Sequence, residues 1–463
     1  MIFDLGQCSQ TFQSHTLGSS GQIWCGEGPI PNTGGKVADR SERVDSAAGW
    51  LVVAATATAT FAVFGVAYSF GAVFTAIREE FGVGKGQAAL FFSITTFIYF
   101  VVGVFTGRLA DRYGPRPILL AGAVSMGLGL FLTSLVNNIA LGYLTYGMGV
   151  GIGVGCAYVP MVATVGGWFE KDRTKAMGVA VAGIGVGTLV GAPLAKQLVI
   201  SYGWRNTFVV LGIGSAALLS LAAIGARRPP GSGTQEPPPP LRLLLKDSRF
   251  VWLYVSMTFL SAGLFVPMVY LDDYLESQGR TGGALLIGII GATSVAGRLA
   301  LGAVASKVDL MRLYQVCVIA LGASYVIWIL AGANYTALVV FTICMGTAYG
   351  GWIALSPAVT AYLFGPIGLG GVLGALYTSA GIGGLVGPPV IGVVIDATNY
   401  ETAIGLAICL SAISLVLLIA ASRAAAPSTP PSIDLTDEAE ETNPQGSAWL
   451  VPSRHGGMRL IRR

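Results

Sequence analysis

One short charged stretch decides how the rest of the chain is interpreted: Gly107-Arg108-Leu109-Ala110-Asp111-Arg112-Tyr113-Gly114-Pro115-Arg116-Pro117. Apolar runs flank it on both sides, at residues 88–106 and 118–136, and neither run contains a charged residue. Each is close to the ~20 residues that a helix needs to cross the hydrocarbon core of a membrane. The stretch therefore predicts a tight turn between two antiparallel membrane helices.

The composition excludes an ordinary soluble protein. The 463 residues are 53% hydrophobic and 11% charged, with a mean hydropathy of +0.69, whereas soluble domains are roughly 25% charged. The six cysteines follow no metal-ligand spacing, and the two histidines, His15 and His455, lie near the chain ends. We therefore expect no enzymatic activity, no metal and no cofactor. The net charge of +4 forms no patch that would favour nucleic acid as a partner.

Twelve apolar runs are long enough to span a membrane. They lie at residues 50–75, 88–106, 117–136, 139–161, 176–199, 205–225, 250–271, 284–304, 313–332, 336–360, 370–395 and 402–422. A backbone in lipid must satisfy its own hydrogen bonds, so these runs are predicted to be helices. The expected partner of this surface is the lipid bilayer.

The distribution of positive charge predicts the orientation in the membrane. Twenty-one of the 27 Lys and Arg residues fall on the side that holds both chain ends, five fall on the opposite side, and Arg298 lies within a span. Because Lys and Arg are retained on the cytoplasmic side, both termini are predicted to be cytoplasmic.

A proline-rich connector at residues 227–249 divides the chain into two six-helix halves, at residues 49–226 and 250–423. The polar tails, residues 1–48 and 424–463, are expected to be disordered and cytoplasmic. The fold class is therefore an all-α membrane protein with twelve transmembrane helices in two pseudo-symmetric halves.

The two halves repeat each other in sequence. Ala182-Gly183-Ile184-Gly185 in the fifth span recurs as Ala380-Gly381-Ile382-Gly383 in the eleventh, and Met148-Gly149 recurs as Met345-Gly346. Both pairs have almost the same offset, which corresponds to six helices. A parallel repeat of this kind is typical of transporters that bind substrate near the membrane midplane, between the halves.

The opening stretch resembles the signature loop between the second and third helices of the major facilitator superfamily. The residues that match are Gly107, Asp111, Arg112, Gly114 and Arg116. The resemblance implies the major facilitator fold and a role for these five residues as a cytoplasmic gate, a latch that forms and breaks between the halves. The alternative is that their charges only set the membrane topology.

Residues 168–180, followed by Ala182-Gly183, are similar to a signature of the monocarboxylate transporter family. Gly297-Arg298-Leu299 matches the position where that family places a substrate-binding arginine. Burying an arginine at the centre of a span costs at least ~2.5–3.5 kcal/mol, and a guanidinium is a natural bidentate partner of a carboxylate. Alternatively, Arg298 extends to the membrane surface or caps a neighbouring helix.

Polar aromatic residues are predicted to complete the pocket. Tyr68, Tyr146, Tyr349, Trp352 and Tyr377 lie on the first, fourth, tenth and eleventh spans, which line the cavity in the resembled fold. A tyrosine hydroxyl can hydrogen-bond a carboxylate while its ring bounds an apolar slot. Packing between helices is the alternative role for these residues.

The resemblance does not carry over a proton-coupling site. Ser294 stands where animal members of the family have an acidic residue, and residues 68–72 lack the lysine of those relatives. The remaining candidates are Asp272 and Asp273, at the outer end of the seventh span, because a desolvated carboxylate can carry a proton. The alternative is a solvated pair of charges at a helix end.

These patterns predict a multi-pass plasma-membrane protein that is a secondary active transporter. It is expected to move a small organic anion, above all a monocarboxylate, by alternating access, with protons as the coupling ion. The alternatives are a drug/proton antiporter of the same superfamily and a sensor that binds a carboxylate on a transporter fold. A buried carboxylate would suit a cation-binding antiporter better than the buried arginine does.

Overall fold

A computed structural model describes residues 45–230, 244–305, 307–365, 369–424, 449–452 and 458–461. Most of the predicted tails and of the predicted connector lie outside these residues. The described chain is almost entirely helical, and the all-α membrane class is confirmed.

The helices are α1 Ala47–Ala67, α2 Phe70–Phe81, α3 Lys85–Tyr113, α4 Pro115–Ser134, α5 Ile139–Gly142, a π-helix Tyr143–Met148, α6 Gly149–Trp168, α7 Arg173–Gly225, α8 Ser248–Leu264, α9 Val266–Ser277, α10 Gly283–Val304, α11 Leu310–Ala331, α12 Tyr335–Phe364, α13 Leu369–Ala397 and α14 Tyr400–Ala424. Two short strands, β1 Trp449–Pro452 and β2 Met458–Ile461, pair antiparallel. We call α1–α7 the first half and α8–α14 the second half.

Eleven segments of the described chain are long and apolar enough to cross a membrane. One of them, Lys175–Gly225, has 51 residues, and at 1.5 Å per residue it is more than twice as long as the hydrocarbon core is thick. Its backbone leaves the helical conformation at Gly203, where φ is 77° and ψ is 163°. A glycine adopts this positive φ without a steric penalty. The fifth and sixth predicted spans therefore meet at Gly203.

The turn predicted at residues 107–117 is much shorter in the structure. Helix α3 continues to Tyr113 and α4 begins at Pro115, so only Gly114 separates them. Gly114 has a φ of 93°, which glycine tolerates. Proline has no backbone N–H, and Pro115 fits the first turn of α4 because an N–H there would have no acceptor within the helix. The charged residues of the stretch consequently lie on the last turns of one helix and the first turn of the next.

The halves meet mainly along two pairs of helices, α3 with α13 and α7 with α10, with a smaller contact between α2 and α9. These pairs contain the second and eleventh spans and the fifth and eighth spans, so the sequence repeat exchanges one pair with the other. The α7–α10 approach is close: a Cβ added to Gly291 would lie 2.7 Å from the Gly185 carbonyl oxygen. Small residues therefore determine how closely the halves pack.

The two ends of the bundle carry different side chains. At one end, the Asp45 N–H donates to the Trp168 carbonyl at 3.0 Å, and the Trp168 indole N–H donates to the Arg227 carbonyl at 3.2 Å. We call this the Trp168 end. The opposite end, where α3 begins at Lys85, is the Lys85 end.

Candidate functional site

A small cavity lies between the halves, with walls from α1, α3, α6 and α7 of the first half and from α8, α12 and α13 of the second. Its volume is ≈ 30 Å³, far below the ~150 Å³ of a protein cavity that binds benzene. Four of the predicted pocket residues line it: Tyr68, Tyr349, Trp352 and Tyr377. The structure therefore brings together residues that are up to several hundred positions apart in sequence.

A hydrogen bond crosses this cavity from one half to the other. The hydroxyls of Tyr68, at the end of α1, and Tyr349, on α12, are 3.1 Å apart, and both side chains are buried. Either hydroxyl can donate to the other, and each retains further capacity to donate or accept. A ligand oxygen that enters the cavity can thus join this bond or replace it.

Arg298, on α10, is not one of the residues that line this cavity, and it is only 5% exposed. Its Nη1 donates to the Val181 carbonyl of α7 at 2.8 Å, and its guanidinium carbon is 5.9 Å from the centre of the Tyr349 ring. Its Nε and Nη2 are buried and have no hydrogen-bond partner among the described residues. The side chain therefore does not extend to the membrane surface, and one contact with a neighbouring helix leaves two buried donors unsatisfied.

Tyr146, unlike the other four predicted aromatic residues, does not line the cavity. It lies in the π-helix, where its ring packs 5.6 Å from that of Phe70 and 5.4 Å from that of Phe208. Tyr146 is 1% exposed and belongs to the packing of the first half.

Asp272 and Asp273 are buried, so the alternative of a solvated pair at a helix end is wrong. Asp273 forms an ion pair with Lys85 and accepts a hydrogen bond from the Tyr400 hydroxyl. Asp272 lies 2.8 Å from the Lys196 ammonium group and accepts from the Ala284 N–H at 2.9 Å. The two carboxylates are 2% and 3% exposed, and both lysines belong to the opposite half.

Two further carboxylates belong to the same network at the Lys85 end. Glu276 forms an ion pair with Lys196 and accepts from the Thr75 hydroxyl at 2.8 Å. Asp396 accepts from the Lys85 N–H at 2.6 Å. We call these four carboxylates, Thr75, Lys85, Lys196 and Tyr400 the inter-half network. Its lysines come from the first half and its carboxylates from the second.

The five residues of the predicted gate lie at the Trp168 end, around the junction of α3 and α4. Asp111, Arg112 and Arg116 are exposed, and the Arg112 carbonyl accepts from the Arg228 guanidinium at 2.6 Å. Gly107 faces Val159 of its own half, and Gly114 forms the turn. Asp111 forms no ion pair within the described ranges, and no ion pair there joins the halves at this end.

The described residues contain no group of three or more His, Cys, Asp or Glu side chains placed to hold a metal ion. Lys85 and Lys196 were not predicted as site residues, because the sequence identified them only as basic residues on the outer side of the membrane. Their position at the ends of the second and fifth spans, which contact the other half, is the signal that could have identified them.

Comparison with known proteins agrees with this architecture. The sequence profile of the Major Facilitator Superfamily matches residues 56–334. Monocarboxylate transporter 3 of Rattus norvegicus is 30% identical over 377 residues, which cover 77% of this chain and 76% of that protein. The agnestins efflux protein AgnL12 of Paecilomyces divaricatus is 28% identical over 359 residues, or 76% of this chain and 82% of that protein.

A solved structure has the same fold. It is a bacterial homologue of the human lysosomal transporter Spinster in an inward-facing, unoccupied conformation, with a TM-score of 0.65 and 15% sequence identity. The match covers 82% of this chain and 98% of that chain.

Two helical halves that enclose a buried site, in a chain with many membrane spans, define a multi-pass membrane transporter. The chain belongs to the monocarboxylate transporter-like family of the Major Facilitator Superfamily. The resemblance stated from the sequence is confirmed, and the family consists of transporters and not of enzymes.

Proposed function

We propose that this transporter moves a small organic anion, above all a monocarboxylate, together with a proton by alternating access. The observation that carries the proposal is the Arg298 side chain, which is buried with Nε and Nη2 unpartnered among the described residues. A buried charge without a counter-charge is strongly unfavourable. A bound carboxylate supplies both the missing charge and the acceptors for these two N–H groups.

The aromatic residues around Arg298 give the anion its remaining contacts. The hydroxyls of Tyr68 and Tyr349 are within reach of each other across the cavity, so an oxygen of the substrate can bridge the halves through them. Tyr377 and Trp352 bound the apolar side of the same space. Because these residues come from both halves, substrate binding favours states in which the halves are together at the midplane.

The proton is assigned to the inter-half network, with Asp272 and Asp273 as its carriers. Each of these two buried carboxylates faces one lysine of the opposite half, whereas Glu276 is partly exposed and Asp396 is exposed. Burial disfavours the charged form of a carboxylate, and a lysine partner favours it. Opening the Lys85 end changes both the burial and the partner of Asp272 and Asp273, so proton binding is coupled to the movement of that end.

The orientation follows from the distribution of basic residues. The Lys85 end faces the outside of the plasma membrane, and the Trp168 end and both termini face the cytoplasm. In this orientation the network is the external gate, and the residues Gly107, Asp111, Arg112, Gly114 and Arg116 form the cytoplasmic gate. The carboxylates of the network meet the external solution whenever the Lys85 end opens.

Uptake of radiolabelled pyruvate into proteoliposomes, with an acidic outside, tests the proposal. Arg298→Lys keeps the charge but loses the planar, two-donor geometry. We expect its kcat/KM to fall about tenfold or more, the value of one charge-assisted hydrogen bond. Normal uptake by a well-folded Arg298→Lys protein would refute substrate binding by Arg298.

A relative named as an efflux protein favours a second candidate, an antiporter that expels an organic compound in exchange for protons. The direction of the proton gradient separates the two. A symporter accumulates labelled substrate when protons flow in the same direction, whereas an antiporter accumulates it only when protons flow in the opposite direction. A sensor on the same fold would bind pyruvate without accumulating it under either gradient.

A further inference from the structure

The cavity beside Arg298 is lined mainly by aromatic rings. Nine of its fourteen lining residues are aromatic, and Ser261 is the one lining residue besides the tyrosines and Trp352 that carries a polar side chain. Aromatic rings attract one another in offset-stacked and edge-to-face arrangements, by about 0.5–1.5 kcal/mol per pair beyond the effect of buried area. The composition of this wall therefore carries information about the shape of the substrate.

The rings of the first half form a continuous surface. Phe64 lies at its centre, with ring centroids 5.1 Å from Tyr68, 6.1 Å from Tyr99 and 5.2 Å from Tyr158. The surface continues from Tyr99 to Phe100, at 4.3 Å. These separations fall in the 4.5–7 Å range of favourable ring contacts, or just below it.

The second half faces this surface with Tyr377, Tyr349 and Trp352, and the ring of Tyr377 lies 6.1 Å from that of Phe100. The guanidinium carbon of Arg298 is 5.9 Å from the centre of the Tyr349 ring, which lines the cavity. The cationic group therefore lies next to one of the rings that line the cavity. A molecule that places a carboxylate at Arg298 directs the rest of its body between the rings.

We propose that the substrate is a carboxylate with an aromatic ring attached close to the carboxylate group. This inference rests on the proposed binding of an anion by Arg298. A two- or three-carbon acid would satisfy the arginine but contact few of the rings. An aromatic acid also contacts the ring faces, and its body displaces water from them.

The present state has too little room for such a molecule, because the cavity volume is ≈ 30 Å³. Entry requires the halves to separate and the Tyr68–Tyr349 hydrogen bond to break. No ion pair joins the halves at the Trp168 end within the described ranges. Separation at that end therefore breaks fewer strong contacts than opening the inter-half network does.

Phenylpyruvate and pyruvate form a matched pair of probes, since they share the 2-keto carboxylate group and differ by a phenyl ring. Uptake of each by the full-length protein in proteoliposomes gives two KM values. We expect the KM for phenylpyruvate to be about one tenth of the KM for pyruvate, or lower. Even small apolar groups change substrate preference by such ratios in a fitted pocket. Equal values, or a lower KM for pyruvate, would overturn the aromatic substrate and leave the carboxylate transporter standing.

A variant tests whether the aromatic rings that line the cavity cause the preference for phenylpyruvate. Phe100→Leu keeps apolar bulk and removes one ring, so it should raise the KM for phenylpyruvate more than that for pyruvate. The control is Phe105→Leu on the same helix, because Phe105 is 57% exposed on the bundle surface. An unchanged ratio in a monodisperse Phe100→Leu protein would refute the role of the wall. The ratio of the two KM values in the wild-type protein tests the substrate class even if the variant does not fold. The absence of uptake and binding for both acids would refute the proposed function itself.

Discussion

Within the described residues, Arg298 donates one hydrogen bond, to the Val181 carbonyl, although a guanidinium can donate five. Charged residues inside a membrane are rare and normally pair with one another or face a water-filled path. The Tyr349 ring offers a cation–π contact at 5.9 Å, which is weaker than a carboxylate partner. At the scale of single residues, the functional assignment depends on this unsatisfied charge.

The carboxylates of the inter-half network give a prediction about pH. If Asp272 or Asp273 carries the coupled proton, external acid fills the site and pyruvate uptake rises as the external pH falls. Asparagine has the same shape but cannot titrate, so Asp272→Asn or Asp273→Asn should flatten this dependence. Initial rates of uptake between pH 5 and pH 8 measure it.

The exposed pair of Lys175 and Asp172 provides the control for this experiment, because its side chains are 78% and 44% exposed. Asp172→Asn removes a carboxylate of an exposed ion pair, and such pairs contribute little. Its pH profile should match that of the wild type. Acid-driven uptake that persists in both Asp272→Asn and Asp273→Asn would exclude these residues as proton carriers.

At the scale of helices, glycine sets the distance between α7 and α10. A Cβ on Gly291 would lie 2.6 Å from the Thr188 Cβ, whereas carbon atoms in contact are ≈ 3.5–4.0 Å apart. Gly291→Val should force the halves apart and reduce pyruvate uptake. It should also lower the free energy of unfolding by roughly 1–3 kcal/mol. Thermal unfolding in detergent and uptake in proteoliposomes measure the two effects.

The same helix contains the matched control for Gly291. Gly302 has no atom within 4 Å of the position of an added Cβ. Gly302→Val therefore introduces the same side chain into α10 without a clash, and both stability and uptake should remain near the wild-type values. Similar losses in the two variants would indicate that the effect comes from valine in the helix and not from the contact between halves.

The sequence predicted the positions of the helices better than it predicted which side of a helix each residue faces. Length and hydropathy located the spans and the buried Arg298, because lipid imposes simple constraints on both. The π-helix that contains Tyr146 was not predicted, and there the Tyr146 ring packs against Phe70 and Phe208 of the first half. The pairing of Lys85 with Asp273 was also missed, because it depends on contacts between residues nearly two hundred positions apart.

At the scale of the whole molecule, the positive and negative charges of the inter-half network come from different halves. At the Lys85 end the first half supplies Lys85 and Lys196, and the second half supplies all four carboxylates of the inter-half network. Opposite charges on opposing surfaces attract over a longer range than packing contacts do. Ion pairs between the halves therefore hold this end closed. At the Trp168 end, by contrast, Asp111 is exposed. The molecule is closed at the Lys85 end.

Alternating access requires the Lys85 end to open during each cycle, so a covalent link across it should stop transport. The Thr75 hydroxyl and the Glu276 carboxylate are 2.8 Å apart on opposite halves. In a protein whose native cysteines have been replaced, Thr75→Cys with Glu276→Cys can be joined by a short reagent that forms disulfides at both ends. We expect pyruvate uptake to be abolished by the reagent and restored by a thiol reductant.

The two single-cysteine proteins serve as controls, because the reagent modifies them without connecting the halves. Their uptake should change much less than that of the double variant. Mass spectrometry of a tryptic digest establishes how much of the protein is linked. If fully linked protein still transported pyruvate, the Lys85 end would not be a gate, and the proton coupling assigned to its carboxylates would lose its physical basis, since those groups would never meet the external solution.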